Sequence, residues 1–499
     1  MVVANALLIS LLLPLLFVPI VLLLKNQGKN LGYLTAIPLI LSVLLLISAA
    51  LDLRTMPFVK ELYNWAEAAG LNMGLLADGL SIWVLLTIGV LSVFVAIYSV
   101  PYIEHRIHEM QHEGEEIGEG AYAQYYGLYL LYIIGMLGCV YSTNLIEFYF
   151  FYELMLVPSW LLINNFGYGD REHIGMIYFI WTHVGAVIML AGILASYTVT
   201  GSFEISDLVN VVGASNAGWI AIAILIGFFT KMASFGIHMW LPPAHSQSPT
   251  PISALLSPAM IGIGAYAAIR IVVIPMFPVF KTFTGVFSVW ALITMVYGGL
   301  MAFTQDDLKR FLAYSSISQM GYIFLGLASA ASLGEVGAIF HYVSHGFGKC
   351  ILFLVAGILL HQTGTRSIKE LGGLADRMPI TATITLIGFF TIGGVPPTIG
   401  YWSKFMIFTG VFNGAIVGNE EFIVAVAGII MTVLTISYGT WTVRRIFFGP
   451  LPDHLKNVKE APSLMLIPIA LLALLSLIVG VWPSLVTEYL IPFFESSLI

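Results

Sequence analysis

The sequence predicts an all-α polytopic membrane protein of about fourteen transmembrane helices, and three observations predict it. Of the 499 residues, 59% are hydrophobic and only 9% are charged, whereas a soluble domain carries about 25% charged residues. The apolar residues fall into runs of about 20, the length that crosses the hydrocarbon core. The basic residues between those runs then separate almost completely to one side.

Spans are expected near 4–24, 31–51, 77–101, 125–141, 144–165, 173–200 and 217–240. Seven more follow near 250–272, 284–304, 309–330, 334–361, 379–410, 422–447 and 462–484. The first run lacks a basic leader and a small-residue cleavage site, so it reads as a retained span. With both termini outside, the inner loops take Lys25, Lys29, Arg106, Arg171, Lys309, Arg310, Arg366, Lys369, Arg377, Arg444, Arg445, Lys456 and Lys459. The outer loops take only Arg54, Lys60 and Lys281, with Arg270 at an outer helix end. A wrong helix count would scramble that split, because basic residues collect on the cytoplasmic side. The remaining three, Lys231, Lys349 and Lys404, lie inside spans.

Between the spans little stands out. The stretch Tyr102–Gln124 holds six glutamates and three histidines; a metal site is one reading, and a solvated, partly helical connector is the preferred one. Asp52–Gly70, with Trp65, is read as lying along the outer interface. Cys139 and Cys350 are the two cysteines, too few for an iron–sulfur cluster or a cysteine zinc site within this chain. No phosphate-binding glycine loop opens a helix after a strand, and no basic soluble surface suggests nucleic acid. No catalytic residue and no metal ligand is assigned.

Ionisable groups inside spans are where function is expected, because each costs roughly 2.5–3.5 kcal/mol at the helix centre. Lys231 sits in GFFTKMASFGIHMWLPPAHSQSP, with His238 seven residues on, on the same face of a continuing helix. Pro242 and Pro243 are expected to stop that helix ahead of His245. Glu153 lies deep in the fifth span among aromatic and apolar residues, while Glu147 is read as shallower and facing elsewhere. His341, His345 and Lys349, spaced by four, form one stripe about 12 Å long, suited to stepwise proton transfer. Lys404 follows Gly393-Gly394 and Pro396-Pro397, which must interrupt their helix at membrane depth. Two interrupted helices in two halves, 125–272 and 284–447, point to an inverted repeat with ion sites near the midplane. Residues 1–124 and 448–499 flank the halves. Tyr314, Ser315, Ser316, Ser318, Gln319, His183 and Tyr266 extend the polar line, and each alone is also ordinary interhelical bonding.

At this point the chain resembles the antiporter-like subunits shared by respiratory complex I, Mrp sodium/proton antiporters and energy-converting membrane-bound hydrogenases. FYELMLVPSWLLI is similar to the family's glutamate helix, and TKMASFGIHMWLPPAHSQSPTPISALL to its first broken helix. DLKRFLAYSSISQMGY, FHYVSHGFGKCILFLVAG and PPTIGYWSKF resemble the second half. The resemblance implies Glu153 paired with Lys231, Lys349 and Lys404 in the second half, and two inverted five-helix repeats. It implies proton or sodium movement in a plasma-membrane complex with further antiporter-like subunits. Iron–sulfur clusters would sit in the partner redox subunits, and no cofactor in this chain. Mrp-type antiport without a redox module and a non-conducting scaffold are the alternatives. The scaffold reading comes from one departure: LLSPAMIGIGAY has no Lys or His where relatives carry one in the eighth span. With no extension expected beyond the last span, the chain is read as lacking the long lateral helix of the most distal complex I member.

Overall fold

The computed structural model describes residues 3–66, 71–414 and 421–497. Among these, twelve helices are long and apolar enough to cross a membrane, and two shorter apolar helices, Ala217–Lys231 and Pro379–Gly393, lie between them. In chain order α1 is Ala6–Leu23, α2 Leu31–Asp52, α3 Ile82–His112, α4 Ala121–Tyr141, α5 Leu145–Phe166 and α6 Arg171–Thr200. The first broken pair is α7, Ala217–Lys231, and α8, Leu241–Gln247. Then come α9, Thr250–Val273, α10, Thr284–Phe303, α11, Leu308–Ala328, and α12, Ser332–Thr363. The second broken pair is α13, Pro379–Gly393, and α14, Gly400–Asn413. The chain ends with α15, Glu421–Phe447, α16, Ser463–Val481, and α17, Ser484–Ser497.

The centre of the bundle is α9, α11 and α12, buried over nearly their whole length, whereas α1, α2, α6 and α15 bury one face. Small residues set the approach distances: a Cβ on Gly135 of α4 would stand 2.4 Å from the Met155 nitrogen of α5. Helix ends follow local chemistry. The Asn144 side chain accepts from the backbone of Ile146 and Glu147 at the start of α5, and Asp307 does the same for Arg310 at α11, satisfying donors that have no partner within the helix.

At four places the structure adds to these expectations or corrects them. First, much of Asp52–Gly70 is strand: β1, Phe58–Ala66, pairs antiparallel with β2, Leu71–Asp78, while residues 67–70 lie outside the described residues. This hairpin is anchored by its own polar groups. Glu61 accepts from the backbone nitrogens of Leu7 and Leu8 at 3.1 and 2.9 Å, a carboxylate at the positive end of α1. Second, the Tyr102–Gln124 stretch is partly helical, as expected, with its helical parts belonging to α4, which starts at Ala121, and to α3, which runs on to His112. There the buried Arg106 donates to the carbonyls of Phe166 and Gly167, which holds the polar end of α3 against α5. Third, α17 continues past the last expected span and packs on α12. Fourth, the first break falls before Pro242 and Pro243, which open α8; proline suits a first turn because that turn's N–H groups have no helical partner.

Close packing also supports the second break. A Cβ on Gly480 of α16 would stand 1.9 Å from the Pro397 carbonyl oxygen, so Gly480→Ala must push that loop aside. We expect a loss of about 1–3 kcal/mol, read as a lower thermal midpoint of the solubilised complex. Gly118→Ala, with open space around it, should leave the midpoint unchanged.

A candidate ion path of buried lysines and histidines

Lys231 is the last residue of α7. Beyond it Ala233 and Gly236 adopt positive φ of 53° and 90°, and the backbone is not helical again until Leu241. Backbone exposed at membrane depth must find partners inside the protein, and here tryptophans supply them. The Trp240 indole donates to the Thr230 carbonyl at 3.0 Å, Trp290 to Phe235 at 2.9 Å and Trp181 to Ile237 at 2.9 Å. His238 lies inside this unwound segment and not on a helical face with Lys231. Its Nδ1 accepts from the Gly236 nitrogen at 3.1 Å, and its ring sits 4.8 Å from that of Tyr297.

The first-half cluster gathers around Lys231. Its Nζ, fully buried and without a hydrogen-bond partner, lies 4.5 Å from the centre of the Tyr152 ring. Glu153 is within electrostatic reach of it. Glu153 Oε2 is also 3.1 Å from Nδ1 of His183, a side chain 43% exposed on the flank of the bundle. His183 therefore does not lead toward Lys349 or Lys404; it carries the Glu153 site outward. Tyr266 does not lead inward either, since its hydroxyl donates to the Val140 carbonyl at 2.8 Å and accepts from Arg270. Glu147 is buried beneath the hairpin, and its Oε2 accepts from the Gly74 nitrogen at 3.1 Å.

The second-half cluster is more continuous. His245 of α8 is fully buried with neither ring nitrogen partnered, 4.8 Å from the Phe353 ring of α12 and within electrostatic reach of Lys349. Lys349 donates to the Leu312 carbonyl at 2.9 Å. His345, with neither nitrogen partnered, is within reach of His245, His341 and Lys349. His341 is held from both sides, Nδ1 2.9 Å from Ser403 Oγ and Nε2 3.2 Å from Gln319 Oε1. Lys404, one residue after Ser403, has an unpartnered Nζ 4.0 Å from the Tyr322 ring centre. The tyrosine ring is 5.8 Å from that of His341. The second break lies just before, where α13 ends at Gly393 and Gly394 turns with φ 77°. There the Ile399 nitrogen donates to Ser476 at 3.1 Å and Trp402 to Gly480 at 2.8 Å. The break thus follows the lysine in the first pair and precedes it in the second.

Of the polar residues on α11, Gln319 and Tyr322 face the stripe. Ser315 bonds Tyr438, Ser316 bonds Ser257 and Ser318 donates to the Met295 carbonyl. The eighth span has π-helical segments at Leu256–Met260 and Ala268–Val273. A Cβ at Gly262 would stand 2.1 Å from the Tyr342 ring, so that ring fills the space a longer side chain there would need. Besides Arg106 and Glu61, two charges that are 0% exposed carry no assignment as buried in the sequence reading. Lys309, assigned to a loop, is fully buried and donates to the Ser248 carbonyl. Glu335 is fully buried near the start of α12; an acid set in GEVGAIF among small and apolar residues was its only signal. Among the described residues no three His, Cys, Asp or Glu side chains group as a metal site.

Comparison with known proteins identifies the family. Residues 142–435 match the family model described as NADH:quinone oxidoreductase/Mrp antiporter, transmembrane, and residues 65–110 match the N-terminus of complex I chain 5. The M subunit of F(420)H(2) dehydrogenase from Methanosarcina mazei is 32% identical, covering 86% of this chain and 85% of that protein. A Na(+)/H(+) antiporter protein from Alkalihalophilus pseudofirmus is 33% identical, covering 87% of this chain and 55% of that longer protein. A chain of respiratory complex I from Thermus thermophilus superposes with TM-score 0.86 at 26% identity over 98% of both chains. The chain belongs to the NADH:quinone oxidoreductase/Mrp antiporter family of membrane subunits.

Proposed function

We propose that this chain is an antiporter-like ion-translocating subunit of a multisubunit membrane oxidoreductase, moving protons through its own buried residues while partner subunits hold the iron–sulfur clusters and transfer the electrons. One observation carries the reading. Lys231, Lys404, His245 and His345 are all buried with side-chain nitrogens that no protein group satisfies. A purely structural role would leave several unmet polar groups, each costing about 1–3 kcal/mol, whereas a proton route needs such groups free to exchange. Lysine and histidine side chains take up and release protons and repel sodium.

In this reading the helices cross about fourteen times, each broken pair counting as one crossing. Two inverted five-helix repeats, 125–272 and 284–447, each contain one broken helix, flanked by 1–124 and 448–499. Glu153 and Lys231 act as one charge pair, and His245, His345, Lys349, His341 and Lys404 as a relay. A change of charge at one member biases the next, so protonation steps are coupled along the bundle. The outward-facing Glu153–His183 pair supports assembly, since a polar pair on the flank of a membrane bundle favours a protein neighbour over lipid. The antiporter relative keeps one rival open, an Mrp-type complex without a redox module. Gentle solubilisation and mass spectrometry decide: co-purifying cluster-bearing subunits support the first reading, and other antiporter subunits alone would overturn it.

The distribution of basic loops supports a topology with both termini on the outer side of the plasma membrane. The test is labelling of Glu113→Cys and Lys456→Cys with an impermeant maleimide. Cys139 and Cys350 are buried and give little background. No labelling is expected in right-side-out vesicles, with labelling after inversion. Reaction at position 113 from the outside would reverse the topology.

A further inference from the structure

Glu335 stands apart from every group used above. It lies in the first turn of α12, fully buried, and neither carboxyl oxygen has a hydrogen-bond partner. Its neighbour Gly334 is clamped from two sides: a Cβ there would stand 2.0 Å from Ser329 Oγ, and one on Gly410 of α14 would stand 2.3 Å from the Gly334 Cα. The clamp fixes the start of α12, so the side chain has no route to solvent by fraying. Tyr342, seven residues on, shares its face of the helix and covers Gly262 of α9. Lys349 is two further turns along, about 21 Å from Glu335 by helical rise, and His341 about 9 Å.

We propose that Glu335 is a proton-binding station at the hairpin end of α12, where protons join or leave the His341–His345–Lys349–Lys404 series. An unpaired carboxylate in an apolar interior costs several kcal/mol, so the group must take a bound cation or a proton. A metal cation such as sodium needs several oxygen ligands; a lone carboxylate whose oxygens have no hydrogen-bond partner supplies only two. A proton needs one. The first turn of a long helix also lowers the cost of the ionised form that must exist briefly between arrivals. A structural carboxylate would instead have a partner, as Glu61 and Asp78 do.

The inference rests on the proton-moving reading, and the test separates the two. The intact complex in proteoliposomes is compared as wild type, Glu335→Gln, Glu335→Asp and Lys404→Ala, reading ions moved per electron transferred. Glu335→Gln keeps the shape but not the exchangeable proton, and should lower that ratio by about tenfold or more. Glu335→Asp should restore part of it. If Lys404→Ala lowers the ratio and Glu335→Gln leaves it unchanged, this inference falls alone; if neither changes it, the transport reading falls too. A fall in complex yield with an unchanged ratio also overturns the station, because it marks a structural role. A second measurement needs no variant. Dicyclohexylcarbodiimide adds to protonated carboxyls in apolar surroundings, so peptide mapping of the treated wild-type complex should find the adduct on Glu335. Its absence there would overturn the proposal.

Discussion

Glu153→Gln should lower the ions moved per electron in the assembled complex by about fivefold or more, the lower end of what an electrostatic coupling of 1–3 kcal/mol produces. Glutamine preserves the volume of Glu153 and can still meet His183, so assembly is not the quantity at risk. What is lost is a negative charge within reach of the buried, unpartnered Lys231 ammonium. Glu147→Gln is the matched control on the same helix. Its carboxylate faces the Gly74 nitrogen beneath the hairpin and, with Trp65 and Phe150, lines an apolar cavity of about 380 Å³. A glutamine oxygen can accept the same bond, so the control should lose much less. Proteoliposome pumping measured against the redox rate compares the two. A larger loss at Glu147 would mean that the first-half path runs under the hairpin.

How far the sequence carried the reading depended on what kind of signal each element leaves. Charges in apolar runs are rare and costly, so Lys231, Glu153, Lys349 and Lys404 could be found from the chain alone. The second break was equally legible, because Gly393-Gly394 and Pro396-Pro397 cannot continue a helix. The first break was misplaced because its residues, MASFGIHMW, contain no proline. The unwinding is held by indoles of Trp181, Trp240 and Trp290, two of them far away in sequence. His238 was then assigned to a helix that had already ended. The hairpin was missed because its anchors are long-range as well, Glu61 to α1 and Gly74 to Glu147. Glu335 leaves little trace in the sequence, since an acid near a helix start suits a first turn; only packing reveals that it is buried with neither oxygen hydrogen-bonded.

The same packing decides which half should matter more for transport. A hand-over from the first half to the second needs a group near Gly262, and the structure puts the Tyr342 ring there instead, its hydroxyl 3.3 Å from the Ala259 carbonyl. Lys231 thus has Tyr152 and Glu153 beside it but no titratable neighbour on the α9 side, and its carboxylate partner leads to the exposed His183. By contrast, Lys404 closes a series in which His341 is bonded to Ser403 and Gln319, and His345 and Lys349 connect back to His245. Lys404→Ala should therefore abolish ion movement, while Lys231→Ala should leave a measurable part of it, its loss being one of coupling and not of the conducting residues. Both variants need the same comparison of ion movement with redox rate in one vesicle preparation, alongside a check that the complex is assembled. Complete and equal loss in the two would show that protons pass the Tyr342 ring after all, so that the halves conduct in series. Full activity in Lys404→Ala would remove the second half from the path.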